Sequence, residues 1–171
     1  LIRHSISKLS HIHFVANSEA EKRLVQMGEL PESIFAIGSP DLDIMFSGQL
    51  PDIETAKKYY EIPFTGYGLV LFHPVTTEAQ QMEQYATQLV DALLADTRNY
   101  VVIYPNNDHG SRVILNAYES LKHHERFRVF PSLRFEYFLT LLKHAQCIVG
   151  NSSAGIREAP AYGIPVVNIG T

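Results

Sequence analysis

Leu69-Val70-Leu71-Phe72-His73-Pro74-Val75-Thr76-Thr77 is the stretch that decides the fold. Its first four residues form an unbroken apolar run without the alternation of a half-solvated strand. Such runs read as strands buried on both faces, the habit of parallel sheets. The run stops at a histidine followed by a proline, so the polar residues begin where the strand ends.

Working outward, the same texture repeats. After the strand at 69–73 the spacing predicts a helix from about Thr77 to Ala95, with Met82, Tyr85, Leu89 and Leu93 near one face. A strand (100–104), a helix (110–122), a strand (127–130), a helix (135–144), a strand (147–150), a helix (154–162) and a strand (166–169) follow. Upstream, 13–16 and 34–37 read as strands around a helix that Ser18 caps, with Glu21 completing a capping box and Gly28 ending it. Strict alternation of strand and helix implies an α/β fold with a Rossmann-like parallel sheet. Between the two sets, residues 41–66 hold Gly48, Pro51, Pro63 and two weak helical stretches. They read as a hinge or linker, which separates residues 1–40 from a second domain at 67–171.

Composition sets limits. The 171 residues are 46% apolar and 19% charged, the balance of an ordinary globular domain. A formal net charge of -4 argues against a nucleic-acid partner, because phosphate backbones select basic surfaces. No apolar stretch approaches the roughly 20 residues of a membrane-spanning helix. The single Cys147, in an apolar run, reads as a buried small hydrophobe. It allows no disulfide within the chain and fits a reducing, cytoplasmic setting. The start at Leu1, without signal peptide or initiator Met, reads as an internal fragment.

In parallel α/β sheets, ligands bind beyond the carboxyl ends of the strands. The most informative end is Gly150-Asn151-Ser152-Ser153-Ala154-Gly155, which runs straight into a helix. Small residues, two hydroxyls and a helix start make an anion site suited to a diphosphate, or simply a helix capped by Ser152 or Ser153. It is not a Walker A loop, because the Gly-Lys-Ser/Thr ending is absent. Glu158, one turn further on, is placed to reach a ribose diol or to complement the helix dipole from the first turn. His73 is suited to donate to a phosphate, to shuttle a proton near neutral pH, or to bond a loop carbonyl. Asn106, Asn107 and Asp108 either line the cleft or cap the next helix. His11, His13, His123 and His124 have no Cys or paired carboxylate at useful spacing, so no metal site is expected. His124 reads as a partner for the last carbonyls of its helix. The charged stretch from Glu119 to Arg128 reads as solvated surface.

Taken together, Arg3-His4-Ser5-Ile6-Ser7-Lys8-Leu9-Ser10-His11, Gly38-Ser39-Pro40, His73-Pro74-Val75-Thr76-Thr77, Pro105-Asn106, Asp108, Gly110-Ser111 and Gly150-Asn151-Ser152-Ser153-Ala154-Gly155-Ile156-Arg157-Glu158 carry a resemblance over essentially the whole chain. The sequence resembles the hydrolysing UDP-N-acetylglucosamine 2-epimerases of sialic-acid and related nonulosonic-acid biosynthesis. Non-hydrolysing relatives carry a different string after the strand-end histidine. The resemblance implies a GT-B fold: residues 1–40 are the end of the N-terminal Rossmann-like domain, and 67–171 are most of the C-terminal, UDP-binding one. It implies a UDP-sugar substrate, no cofactor, no metal, and a homo-oligomeric full-length protein. It further implies that Ser152 and Ser153, with Gly155 in the same turn, bind the diphosphate. Glu158 then holds the ribose hydroxyls, and His73 and Asn106 face the diphosphate and sugar, with His73 the catalytic candidate.

The family's acidic catalytic residues are expected upstream of Leu1 and its next basic residues beyond Thr171. By that reading the chain alone supplies the grip on UDP and no catalysis, and the strands near Phe14 and Phe35 are left disordered or pair with another copy. Open alternatives are a sister epimerase for UDP-N,N'-diacetylbacillosamine or a GDP sugar, a GT-B glycosyltransferase domain, and a non-catalytic nucleotide-binding module.

Overall fold

The computed structural model describes residues 2–170, which fall into two compact units that divide between Gln49 and Leu50. The division lies inside the stretch read as a linker.

The first unit contains α1 (Ile2–Leu9), β1 (His13–Val15), α2 (Ser18–Gln26), β2 (Ile34–Ala36) and α3 (Pro40–Phe46). The strands near Phe14 and Phe35 pair with one another, in parallel, and their two rings lie 5.8 Å apart. The cap of α2 is Asn17 rather than Ser18: the Asn17 side chain accepts from the Ala20 N–H at 2.9 Å, which moves the helix start one residue earlier. Helix α1, which carries the Arg3–His11 string as far as Leu9, is tied down at its end. Lys8 meets the Glu29 carboxylate at 2.8 Å and the Met27 carbonyl at 2.9 Å, and the other Glu29 oxygen lies 3.1 Å from Nε2 of the buried His13.

The second unit contains α4 (Ile53–Tyr59), β3 (Gly68–Leu71), α5 (Met82–Ala95), β4 (Tyr100–Ile103), α6 (Ser111–Lys122), β5 (Phe127–Phe130), α7 (Phe135–Lys143), β6 (Cys147–Gly150), α8 (Ala154–Arg157) and β7 (Val166–Asn168). Its five strands are all parallel, in the order β5-β4-β3-β6-β7. The α/β class and the parallel sheet are those expected from the alternation. Strands β3, β4 and β6 are buried at every position, so the continuous apolar runs are explained. Alternate residues of β3, and Phe72 directly after it, serve opposite cores. Val70 and Phe72 pack with Met82, Leu89, Ile114 and Tyr118 of α5 and α6. Leu69 and Leu71 pack with Ala56, Leu141 and Leu142 of α4 and α7.

The structure departs from the sequence reading in further places. Helix α5 begins at Met82, not Thr77, because Thr76–Glu78 forms a separate 3-10 turn. The buried Met82 anchors the true start, and its sulfur lies 3.2 Å from the Val75 nitrogen. The expected helix 154–162 stops at Arg157 and is followed by a 3-10 turn at Pro160–Tyr162, since Pro160 has no N–H to continue the ladder. The segment 119–128 is not all solvated surface. Leu121 and Phe127 are buried, and the Arg126 guanidinium holds the carbonyls of Leu94, Asp96 and Arg98 at the amino ends of the strands. His124 reaches the end of α6 through its backbone N–H, which donates to the Leu121 carbonyl at 3.1 Å, while its side-chain Nδ1 accepts the Arg126 N–H at 3.2 Å. Among the described residues no helix is long and apolar enough to cross a membrane, and no three His, Cys, Asp or Glu converge as a metal site.

Candidate functional site

Strand order fixes where to look. From β3 the chain moves outward to β4 and β5, then returns to place β6 on the other side of β3. Loops leaving β3 and β6 therefore diverge to opposite faces, and a crevice opens between their carboxyl ends. Here a cleft of about 360 Å³ is lined by His73, Asn106 and Ser152, with Leu71, Ile103, Leu133 and Phe138 supplying apolar walls.

Gly150 makes the crevice possible. It lies opposite Leu71 across the β3–β6 ladder with φ +142°, and a Cβ there would stand 1.8 Å from the Leu71 carbonyl oxygen. Only glycine accepts that approach. The next residue, Asn151, clamps the two strand ends together. Its Oδ1 accepts the His73 N–H at 2.7 Å, its Nδ2 donates to the His73 carbonyl at 2.9 Å, and its own N–H reaches the Leu71 carbonyl at 3.2 Å. The sequence reading assigned Asn151 no role of its own. The available signal was an amide side chain directly after a strand-end glycine.

His73 is half-buried and held on the other side by the second expected site residue. The Asn106 backbone N–H donates to His73 Nδ1 at 3.1 Å. The Asn106 side chain in turn donates to the Asp108 carboxylate at 2.6 Å. Burial lowers the His73 pKa below its ordinary value, with the nearby Asp108 charge pulling the other way. Asn106 and Asp108 do not cap α6. Gly110 takes that position with φ +98°, and no side chain bonds there.

The Ser152-Ser153 turn is more complicated than a capped helix. Ser153 occupies the position before α8 without a side-chain bond, while the Ser152 hydroxyl accepts the Ala154 N–H at 3.3 Å. Among the described residues neither the Ser152 nor the Ser153 N–H is engaged by another backbone carbonyl. With only four residues, α8 has little macrodipole, so any anion must be met by loop amides and hydroxyls. Gly155 stands behind this turn. It is buried, its N–H is bonded to the Ser152 carbonyl, and a Cβ on it would come within 2.9 Å of Val166. Its missing side chain lets α8 lie close on β7.

Glu158 is the C-cap of α8, so the idea of a first-turn acid favoured by the dipole is excluded. Its Oε2 is buried without a hydrogen-bond partner. A buried carboxylate oxygen left unpaired costs on the order of 1–3 kcal/mol, and native structures rarely tolerate it without a use.

The sequence model of UDP-N-acetylglucosamine 2-epimerases matches residues 1–171. The chain belongs to this family. It is 60% identical over 171 residues to the UDP-N-acetylglucosamine 2-epimerase of Neisseria meningitidis serogroup B, covering 99% of this chain and 45% of that one. It is 33% identical to the hydrolyzing UDP-N,N'-diacetylbacillosamine 2-epimerase of Legionella pneumophila, covering 100% and 46% respectively. The chain thus spans about half the length of the curated relatives it matches. Among solved structures, the S. aureus MnaA–UDP complex superposes with a TM-score of 0.69 at 19% identity, over 97% of this chain and 45% of the other. At that identity the match speaks for the fold, which is of the GT-B type.

Proposed function

We propose that this chain is the UDP-holding part of a hydrolysing 2-epimerase that converts UDP-N-acetylglucosamine and water into N-acetylmannosamine and UDP. The observation that carries it is the cleft at the β3–β6 crevice. There His73, Asn106 and Ser152 meet in a chain 60% identical to a UDP-N-acetylglucosamine 2-epimerase. In this reading, residues 1–40 are the end of the N-terminal domain, 41–66 the linker and 67–171 the UDP-binding domain.

The chemistry divides between holding and proton transfer. A base removes the proton at sugar C2 while the C1–O bond breaks, its electron pair leaving on UDP and a C1=C2 glycal remaining. Water then adds its hydroxyl to C1 and a proton to C2 from the opposite face. This chain's residues serve the departing UDP. Ser152 and Ser153 donate to the diphosphate from loop amides and hydroxyls, in a turn that Gly155 seats against β7. Asn106 lies beside them, and His73 donates where charge builds on the leaving oxygen. The unpartnered Glu158 Oε2 is an acceptor of the kind a ribose hydroxyl satisfies. The proton-transferring carboxylates are assigned to the N-terminal domain, upstream of these residues.

The hydrolysing branch is supported by the His73–Thr77 string and by the relative whose name specifies hydrolysis. That relative favours a second reading in which the sugar is UDP-N,N'-diacetylbacillosamine. In this proposal the protein works in nonulosonic-acid-type biosynthesis, in the cytoplasm and as a homo-oligomer. The test is incubation of the longer protein with each sugar nucleotide, followed by identification of the sugar released. N-acetylmannosamine with stoichiometric UDP is expected. Transfer of the sugar to an acceptor, or retention of UDP on an epimerised sugar, would overturn the hydrolysing reading. A Ser153→Ala variant is expected to weaken UDP binding about tenfold, the worth of one hydrogen bond to a charged group.

A further inference from the structure

We propose that the Asn106 amide and the Asn151 side chain fix His73 as an Nε2-protonated hydrogen-bond donor, which aids departure of the diphosphate without itself shuttling a proton. The donor role rests on reading the cleft as the seat of a departing diphosphate; the fixed tautomer stands on geometry alone.

A neutral imidazole carries one proton, on either ring nitrogen, and the partner of one nitrogen decides the other. At His73, Nδ1 faces a backbone N–H, that of Asn106, at 3.1 Å. A backbone amide is always a donor, so Nδ1 must accept and the proton must sit on Nε2. Protonating Nδ1 as well would set two donors against each other and break the Asn106 bond. The ring is therefore opposed to the imidazolium form by geometry, and burial opposes it further. The one charge that favours protonation is Asp108, on the loop after β4, and that carboxylate already takes the Asn106 side-chain amide. The loop after β6 contributes Asn151 and Ser152, neither of which titrates. A group that stays neutral donates a hydrogen bond well but has no second proton to give.

Asn151 supplies the position. It holds both the N–H and the carbonyl of His73, so the backbone from which the imidazole projects is pinned from β6. Asn106 and Asn151 are positioning residues in this scheme, and His73 is the group that meets the ligand.

Two measurements test it. In the chain labelled with ¹⁵N-histidine, His73 is identified by its loss in His73→Gln. Near neutral pH its Nδ1 is expected to resonate as an unprotonated nitrogen and its Nε2 as a protonated one, with any protonation falling below the range in which ordinary histidines titrate. An Asn151→Ala chain that still melts cooperatively is expected to show mixed tautomers or a titrating His73. A His73 that titrates normally in the parent chain, or sits with its proton on Nδ1, overturns the proposal whatever the substrate proves to be. In the longer protein, His73→Ala is expected to lower kcat by about 10²-fold, the usual loss for one donor to a developing oxyanion. Gln, which donates but cannot titrate, is expected to lose no more than about tenfold. Equal losses in the two variants, with UDP binding intact in both, overturn the donor role. Absence of any reaction with UDP-sugars overturns the proposed function and the donor role with it, while the NMR result separately decides the tautomer.

Discussion

Replacing Glu158 by Gln probes the cleft in two directions at once. The Oε2 of Glu158 is buried and unpartnered in the ligand-free chain. An unsatisfied buried group costs about 1–3 kcal/mol, and a Gln of the same shape removes the charge that makes this burial expensive. Glu158→Gln is therefore expected to leave the ligand-free chain as stable as the parent or up to about 2 kcal/mol more so. For a unit of this size that corresponds to a Tm rise of up to roughly 10 °C. With UDP present the sign reverses. A ribose hydroxyl bonded to the carboxylate contributes about 1.5–3 kcal/mol, so the variant is expected to bind UDP some 10- to 100-fold more weakly. A saturating ligand at 100 times its Kd adds about 2.7 kcal/mol to the parent's stability, and the variant should gain much less at the same concentration. Thermal melts of both chains with and without millimolar UDP, with UMP and GDP as controls, read both effects. A variant that is less stable without ligand yet gains as much from UDP as the parent would refute the reasoning, because Glu158 would then be a structural partner.

Three further outcomes follow from other places in the second unit. Gly150→Ala puts a Cβ 1.8 Å from the Leu71 carbonyl at a φ of +142°, and urea denaturation should show a loss of at least about 3 kcal/mol; a loss under 1 kcal/mol would mean the strand ends separate freely. Tyr118→Phe removes a fully buried hydroxyl that has no partner, and is expected to be neutral or to stabilise by up to about 1 kcal/mol in the same assay. Asp96 is held well below the usual carboxylate range by Arg98 first and by the Tyr100 hydroxyl. Its folded pKa lies below its unfolded one, so the stabilisation is present above about pH 4 and is lost as pH falls further. An acid titration of stability should flatten over that range in Asp96→Asn, and an unchanged acid limb would show that the cluster contributes nothing.

Much of this protein is written in short windows of its sequence. The apolar run at 69–72, buried on both faces, and its repeats at 100–103 and 147–150 specify a parallel α/β sheet, because burial on both faces requires helices on both sides. The polar residues that follow each run mark the functional end, because ligands meet such sheets where the strands stop. His73, Asn106 and Ser152 were legible in that way, and the structure brings them to one cleft. Tertiary structure decided what each of them touches. Local periodicity does not say that β6 lies beside β3, since strand order depends on the burial of the whole unit. That adjacency makes Gly150 irreplaceable, brings Asn151 onto the backbone of His73 from 78 residues away, and opens the crevice. Likewise Pro160 shortens α8 to a single turn, which puts Glu158 at its end instead of inside a longer helix, with one carboxylate oxygen buried without a partner. Residue type and spacing name the groups available for chemistry, but a tautomer or an unpaired oxygen depends on neighbours supplied by distant strands.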